Sequence, residues 1–416
     1  MNAKLSIPLD IPDVEVLTIE TNKSGDYFIT VTSTIEGTTC HRCGREISKF
    51  HSHDQPITLR HLPILGHQVY ICLRPKRYKC PYCSTKTHRK TSTQQLAWYS
   101  PKVPHTKAYE EQVLLQLVNS TIQDVALKEK LGYEAVVGII NRYVNPQVDW
   151  LQFEQLEIIG LDEIALKKGH QDYVVIVTAR LRDGQVKVLA VLPDREKETV
   201  KDFLARIPTR LQRTIHTVCT DMWKAYINAA KEVLGEAVVT IDRYHVAKHY
   251  RNCADSLRKQ ELKRLKTELS AAEYTLIKGT MWPFRKKPTE LHPQEAELLE
   301  RLFGYTPSLK LAYDFREELT TIFQKDLSKT EAIQAIKAWR QAVETSALTC
   351  FDPFLTTLDT YLDEITNYFL HRHNSGFVEG LNNKIKVLKR RCYGLFNLDH
   401  LFQRLFLDLE GYALFT

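Results

Sequence analysis

No apolar run in this 416-residue chain approaches the roughly 18 residues that a membrane-spanning helix requires. The opening Met-Asn-Ala-Lys-Leu-Ser-Ile-Pro lacks the apolar core of a signal peptide, so a cytosolic protein with no membrane partner is expected. Low-complexity tracts and internal repeats at solenoid periods are missing, which excludes disordered linkers and stacked-repeat architectures. So are the HExxH of zinc proteases, the GKS or GKT of a phosphate loop, and a GxGxxG that opens a helix after a strand. No nucleotide cofactor is therefore expected. Enzymes that use paired histidines beside a tyrosine nucleophile need a hydrophobic residue between the two histidines. His371-Arg-His373 has arginine there, and that class is set aside.

What remains is globular: 43% hydrophobic, 26% charged, and long enough for about two to four domains. The net charge of +7 is modest but unevenly spread. Arg42 to Lys107 carries 13 Lys or Arg against Glu46 and Asp54, which leaves the rest of the chain slightly acidic. A basic block ahead of a near-neutral body is the electrostatic footprint of nucleic-acid binding; a solvated basic face is the plainer alternative.

Cys40-His-Arg-Cys43 and Cys80-Pro-Tyr-Cys83 form two C-x-x-C pairs inside that block. Each pair places two thiolates on one turn, and two such turns close a tetrahedral structural Zn²⁺ site. Cytosolic chains do not use such pairs as structural disulfides, and a redox C-x-x-C comes singly. The other five cysteines, Cys72, Cys219, Cys253, Cys350 and Cys392, lack metal spacing and read as small buried hydrophobes. His41, His51, His53, His61, His67 and His88 read as surface or core residues, since four thiolates already fill the shell.

Five segments follow. A β-rich zinc-binding domain is expected over 1–100, where His67-Gln-Val-Tyr-Ile-Cys-Leu reads as a strand leading into the basic Arg74, Lys76, Arg77 and Lys79. Over 101–150 the period turns helical. Val113, Leu114, Leu117 and Val118 mark a first helix, Ser120 to Gly132 a second that Gly132 ends, and Glu134 to Val144 a third that carries Arg142. Helix, short turn, helix is the helix-turn-helix pattern, shared with ordinary three-helix domains. Over 151–255, strands are expected at 156–162, 172–181, 186–193, 215–221 and 236–242, with helices at 196–206 and 223–234. Three consecutive strands followed by α-β-α-β is the order of a ribonuclease-H-like core, in which the first and fourth strands are neighbours. A helical insertion over 256–370, interrupted at Pro283, Pro288, Pro293, Pro307 and Pro353, separates this part from the core's last piece at 371–416. The fold class expected is α+β and multidomain.

Three acids stand out. Asp162 ends the apolar run from Leu156, Asp221 ends the run from Ile215, and Glu379 opens the helical stretch that continues into Lys384, Lys386, Lys389, Arg390 and Arg391. Carboxylates at strand ends lie at the mouth of a sheet, where ligands gather. Oxygen ligands of this kind suit Mg²⁺ or Mn²⁺, and a pair of such ions clamps the attacking and leaving oxygens of a phosphoryl displacement. Glu163, next to Asp162 on its strand, is expected to point to the opposite face. His245 is either a contact to the scissile phosphate or structural. Trp223 and Trp282 read as base-stacking or core, with core the first reading for Trp223; Trp339 reads as core, and Lys167 and Lys168 as further phosphate contacts.

The chain resembles the DDE transposases of bacterial insertion sequences, of the ISL-three family. The resemblance runs from the first zinc knuckle almost to the carboxyl terminus. It is carried by Gly160-Leu-Asp-Glu-Ile-Ala, Cys219-Thr-Asp-Met-Trp-Lys-Ala-Tyr, Ile241-Asp-Arg-Tyr-His-Val, Met281-Trp-Pro-Phe-Arg-Lys and Asn374-Ser-Gly-Phe-Val-Glu-Gly-Leu-Asn-Asn-Lys-Ile-Lys. It implies that Asp162, Asp221 and Glu379 are the metal-binding triad, with Cys40, Cys43, Cys80 and Cys83 on zinc and the helices after Lys107 on DNA. It also implies double-stranded DNA partners (terminal inverted repeats and target), a homodimer on paired ends, and a nucleoid-associated bacterial protein. A zinc and helix-turn-helix regulator without catalysis is the alternative, with Glu364 or Asp363 as substitutes should Glu379 not be the third ligand.

Overall fold

The structure, a computed structural model, describes residues 8–85, 90–165, 173–372, 376–392 and 397–416, with backbone alone at 376–379 and 382. His88, Lys167, Lys168, His373 and the Glu379 side chain lie outside the described residues. The chain divides into two units, Met1–Asn145 with Phe406–Thr416, and Pro146–Leu405.

In the first unit the strands are β1 (Val14–Thr21), β2 (Tyr27–Ser33), β3 (Thr38–Thr39), β4 (Glu46–Ile47), β5 (Phe50–His53), β6 (Ile57–Ile64), β7 (His67–Leu73), β8 (Lys76–Lys79) and β9 (Thr91–Thr93). They form a sheet β1-β2-β7-β6, a sheet β5-β8-β9 and the ribbon β3-β4. The period-2 pattern decides which side is core: Ile29 and Val31 of β2 and Val69, Ile71 and Leu73 of β7 turn inward on Leu59, Trp98 and Tyr99.

Helices α1 (Lys107–Leu117), α2 (Ile122–Glu129) and α3 (Tyr133–Tyr143) follow. The hydroxyls of Thr106 and Thr121 cap α1 and α2 by accepting from the backbone N–H of Tyr109 and Asp124. Gly132 does not end α2. Lys130 takes the left-handed position there, with φ 53°, and Gly132 is the N-cap of α3. Val113, Leu114, Val125, Val136 and Ile139 meet in a core that also receives Leu407. That insertion is why residues from Phe406 onward join this unit rather than the last piece of the second, as the sequence suggested. The Asn119 N–H donates to Asp408 at 2.9 Å, and a Cβ at Gly411 would lie 2.5 Å from the Val118 side chain, so only glycine fits.

The second unit is built on β10 (Ile158–Ala165), β11 (Tyr173–Arg180), β12 (Val186–Leu192), β13 (Thr217–Thr220) and β14 (Val238–Ile241), in the order β12-β11-β10-β13-β14. The first three pair antiparallel; β10–β13 and β13–β14 are parallel. Between them run α4 (Lys197–Arg206), α5 (Thr209–Gln212) and α6 (Lys224–Val233), and α7 (Arg243–Glu268) leaves β14 with Asp242 as its N-cap. β13 is buried along its whole length, as a central parallel strand covered on both faces should be.

The remaining elements are helical: α8 (Ala271–Leu276), α9 (Met281–Arg285), α10 (Pro293–Tyr305), α11 (Pro307–Gln324), α12 (Lys329–Thr345), α13 (Asp352–Thr366), α14 (Tyr368–His371), α15 (Gly376–Arg391) and α16 (Leu398–Phe415). Pro293 and Pro307 start helices rather than interrupt them, and Pro353 lies in the first turn of α13. A proline there forfeits no intrahelical bond. One continuous hydrophobic cluster runs from the sheet into these helices, so the helical segment shares the core of the sheet. Trp339 sits within it, 1% exposed, its indole N–H donating to the Phe315 carbonyl at 2.9 Å. Trp339→Ala should destabilise the second unit by about 3–5 kcal/mol, read as a lowered denaturant midpoint in equilibrium unfolding.

Candidate functional site

The parallel register of β10 and β13 ends at Leu161 opposite Thr220, which puts Asp162 and Asp221 side by side at the next position. Asp162 does not end its strand as the apolar run suggested. β10 continues to Ala165 because β11 keeps pairing with it, down to Ala165 opposite Tyr173. Asp162 therefore sits where the parallel neighbour stops while the antiparallel one goes on.

Both carboxylates are half-buried and close enough to repel. Burial pushes the Asp221 carboxyl up to about 6; His245 pulls it down, while Asp162 and Glu163 push it further up. Asp221 accepts from the Trp223 N–H at 3.1 Å and Asp162 from the Glu163 N–H at 2.7 Å. His245, on the first turn of α7, thus lies within electrostatic reach of Asp221.

Glu163 does not stand apart from this group. It raises Asp221, and its carboxylate pairs with Arg195 at 3.3 Å. The Arg195 guanidinium lies 4.3 Å from the ring centroid of Trp223 and 4.7 Å from that of Tyr173. Trp223 is 37% exposed, so it belongs to this rim and not to the core. Sequence reasoning also missed Tyr226. Its fully buried hydroxyl has no hydrogen-bond partner among the described residues and is held far up by burial, then by Glu163, Asp221 and Asp162. The run Asp221 to Tyr226 carried the clue, for Tyr226 lies on the turn of α6 that follows the acid.

The helix that carries Glu379, α15, packs against β10. From the same helix Lys389 donates to the Ala165 carbonyl at the end of β10, and burial lowers its pKa. Lys386 and Arg390 are exposed, Lys384 and Arg391 half-buried. The two substitutes for the third acid are already engaged. Glu364 is buried against Lys231 at 2.5 Å, and Asp363 pairs with Lys329 at 2.5 Å.

In the first unit, the thiols of Cys40, Cys43, Cys80 and Cys83 all lie within 4.8 Å of one another, a set that can hold one metal ion. Two tight turns bring this about: the Gly44 N–H returns to the Cys40 carbonyl at 2.9 Å and the Ser84 N–H to the Cys80 carbonyl at 3.2 Å. Backbone amides of Arg42 and Cys43 bring the Cys40 thiol down to about 6, while the neighbouring Cys43 thiol pushes Cys83 up to about 12. Several neighbouring bases are spent inside the fold. Lys76 pairs with Glu36 at 2.6 Å, Arg77 donates to the Thr91 hydroxyl at 2.7 Å, and Arg142 is tied to the buried Glu110. Arg142 and Lys76 each neutralise a carboxylate of their own unit. Arg74 stays exposed and Lys79 half-buried.

The family profile described as transposase, of the ISL-three type, matches residues 159–405. The chain belongs to the ISL-three family of DDE transposases. A second profile, described as the zinc-finger of transposases IS204, IS1001, IS1096 and IS1165, matches residues 36–83. The transposase for insertion sequence element IS1001 of Bordetella parapertussis is 28% identical over 90% of this chain and 89% of its own. The transposase for element IS1557 of Mycobacterium tuberculosis is 23% identical, covering 90% and 86%. Among solved structures, the Drosophila P element transposase strand transfer complex aligns with TM-score 0.40 and 9% identity, over 73% of this chain and 91% of that chain. The protein is a transposase, an enzyme of DNA strand cleavage and transfer, and a regulator without catalysis is set aside. No helix among the described residues is long and apolar enough to cross a membrane.

The raised Asp221 carboxyl has a consequence for the metal-free transposase. An ordinary aspartate titrates near 3.9, so between about pH 4 and 6 the folded state holds a proton that the unfolded state has lost. Stability from this group is complete below that window and declines as pH rises through it. Asp221→Asn should therefore gain unfolding midpoint over wild type progressively from pH 4 to pH 7 in the presence of chelator. A pH-independent difference would remove the electrostatic reading of this pair.

Proposed function

We propose that Asp162, Asp221 and Glu379 together hold the divalent metal at which this transposase cuts and joins DNA. The adjacency of Asp162 and Asp221 across the parallel strands, with the Asp221 carboxyl held up by burial and then by Asp162 and Glu163, is the observation that carries the reading. Two such carboxylates in mutual repulsion gain most when a hard cation takes their oxygens, so the donor set fits Mg²⁺ or Mn²⁺. When bound, such ions supply the charge that makes a water or a DNA 3′-hydroxyl nucleophilic and that steadies the leaving oxygen. The protein's own residues do the rest. Glu379 arrives on a helix packed against β10. His245 stands beside Asp221 to touch the scissile phosphate, and Lys386 and Arg390 face outward to follow the DNA backbone. Arg195 keeps Glu163 and the Trp223 ring in place at the rim.

The strand order and the parallel β10–β13 pair support a ribonuclease-H-like core. The short α2–α3 turn supports a helix-turn-helix that reads the terminal inverted repeats, with Arg74 and Lys79 of the zinc unit on the phosphates. Two ends must be brought together for joining, so the working form is a homodimer. Asp162→Asn, Asp221→Asn and Glu379→Gln should each abolish cleavage and joining of DNA that carries the element's ends, with end binding within about threefold of wild type. Glu379→Gln cleaving at the wild-type rate would move the third ligand elsewhere.

The four thiols are read as a structural Zn²⁺ site, since a closed Cys₄ shell leaves no position for substrate. Elemental analysis should find one zinc per chain. Cys43→Ser or Cys80→Ser should release it, partly unfold the zinc unit by amide hydrogen exchange, and weaken end binding. Well-folded protein free of zinc is the outcome that contradicts this.

A further inference from the structure

Helix α7 leads away from the acidic pair, and its next two turns open onto a cavity of about 320 Å³. Lys248, Arg251 and Asn252 line one side; Phe284 and Arg285 of α9 and Arg316 of α11 close the other, with Tyr244 at the lip. The charges around it do not cancel. The one acid in its wall, Asp255, is buried and already shared by Arg258 at 2.8 Å, Arg285 at 2.8 Å and Lys259 at 3.3 Å. Arg316, 2% exposed, donates to the Phe284 and Lys286 carbonyls and pairs with Glu317. Lys248 and Arg251 are exposed and have no carboxylate partner among the described residues. The cavity is therefore concave, has a rigid buried floor, and carries two cations that its own fold does not neutralise.

An aromatic platform adjoins it. Trp282 lies on α9 beside Arg285, is 63% exposed, and has the Arg285 guanidinium 5.6 Å from its ring centroid. Burying an indole against a base would remove a large apolar face from water, whereas leaving it exposed serves no packing purpose in this unit. Distances along α7 fit the same ligand. At about 1.5 Å rise per residue, Lys248 and Arg251 lie roughly 4.5 and 9 Å beyond His245. A strand held along α7 from the acidic pair would therefore meet both cations within its next few phosphates.

We propose that this cavity anchors an unpaired DNA strand beside the acidic pair: Lys248 and Arg251 each take a backbone phosphate, and an adjoining base stacks on Trp282. The inference rests on the proposed catalytic reading for its direction along α7. The ligand is single-stranded because a duplex keeps its bases stacked, out of reach of Trp282, and because the cavity is too small to receive a groove wall.

The test uses the full-length protein with Asp221→Asn added, so that binding is read without cleavage. Fluorescence anisotropy measures affinity for a labelled single-stranded 12-mer and for a duplex of the element's end, over a range of salt. Lys248→Gln and Arg251→Gln should each weaken single-strand binding severalfold and lower the salt slope by about 0.7. Trp282→Ala should cost about 5- to 150-fold, the range for loss of one stacked base, and Trp282→Phe should restore most of it. Duplex-end affinity should stay within twofold in all four. Single-strand affinity unchanged in the glutamine variants and in Trp282→Ala would overturn the proposal, and so would an equal loss for single strand and duplex. Substitutions at the acidic triad report separately on the catalytic reading: cleavage that survives them, with single-strand binding still dependent on Lys248 and Trp282, would refute the catalytic reading and leave this site standing.

Discussion

The parallel pairing of β10 with β13 is the constraint on which the second unit turns. Those strands are distant in the chain, and their register alone brings two carboxylates into repulsion at one point of the sheet. Half-burial sharpens the conflict, because low dielectric penalises each charge and strengthens its effect on the other. A fold selected for stability alone would avoid such a pair. The neighbouring groups bear on the same charges. His245 opposes the shift, Arg195 takes up Glu163, and the Tyr226 hydroxyl is buried in the same field.

The second theme is the allocation of positive charge. A transposase rich in Lys and Arg does not present all of them to DNA. Lys76, Arg142 and Lys389 satisfy carboxylates or a carbonyl of their own unit, and each such contact fixes local structure. Around Asp255, three cations share one acid, and the surplus falls on the cavity between α7, α9 and α11. The charges left for a polyanion are fewer than a count suggests, and they lie on concave or exposed surfaces. Partial internal neutralisation concentrates the field where the chain leaves a cation unpaired.

The shared core bears on how the site is held. Sheet and helices of the second unit form one hydrophobic cluster, with Trp339, Phe351 and Phe354 at its helical end. Close-packed interiors have low compressibility and resist displacement of the elements they join. A helical segment fused in this way holds α7, and with it His245, Lys248 and Arg251, in fixed relation to β14 and hence to the acidic pair.

Much was legible before any fold was known. Period-2 alternation marked His67 to Leu73 as a strand, apolar runs marked the five strands of the central sheet, and paired C-x-x-C motifs marked the four thiols that the fold gathers. These are local signals, written by neighbours in the chain, and sequence resolves them well. Element ends were less legible. Asp162 lies inside β10, not at its end, because the antiparallel partner β11 extends the strand. Gly132 starts a helix and does not finish one, because Lys130 already takes the left-handed turn. Least legible were side-chain partners. That Glu163 joins the acidic group, that Trp223 lies at a rim, and that Arg142 is spent on Glu110 depend on residues far away in sequence. The sequence by itself determined which residue types the protein has available for metal and phosphate chemistry and the order in which they occur. Tertiary structure alone decided which of those charges meet, because a carboxylate's or a guanidinium's role is set by whatever lies within a few ångströms of it, and folding brings those neighbours from anywhere along the chain.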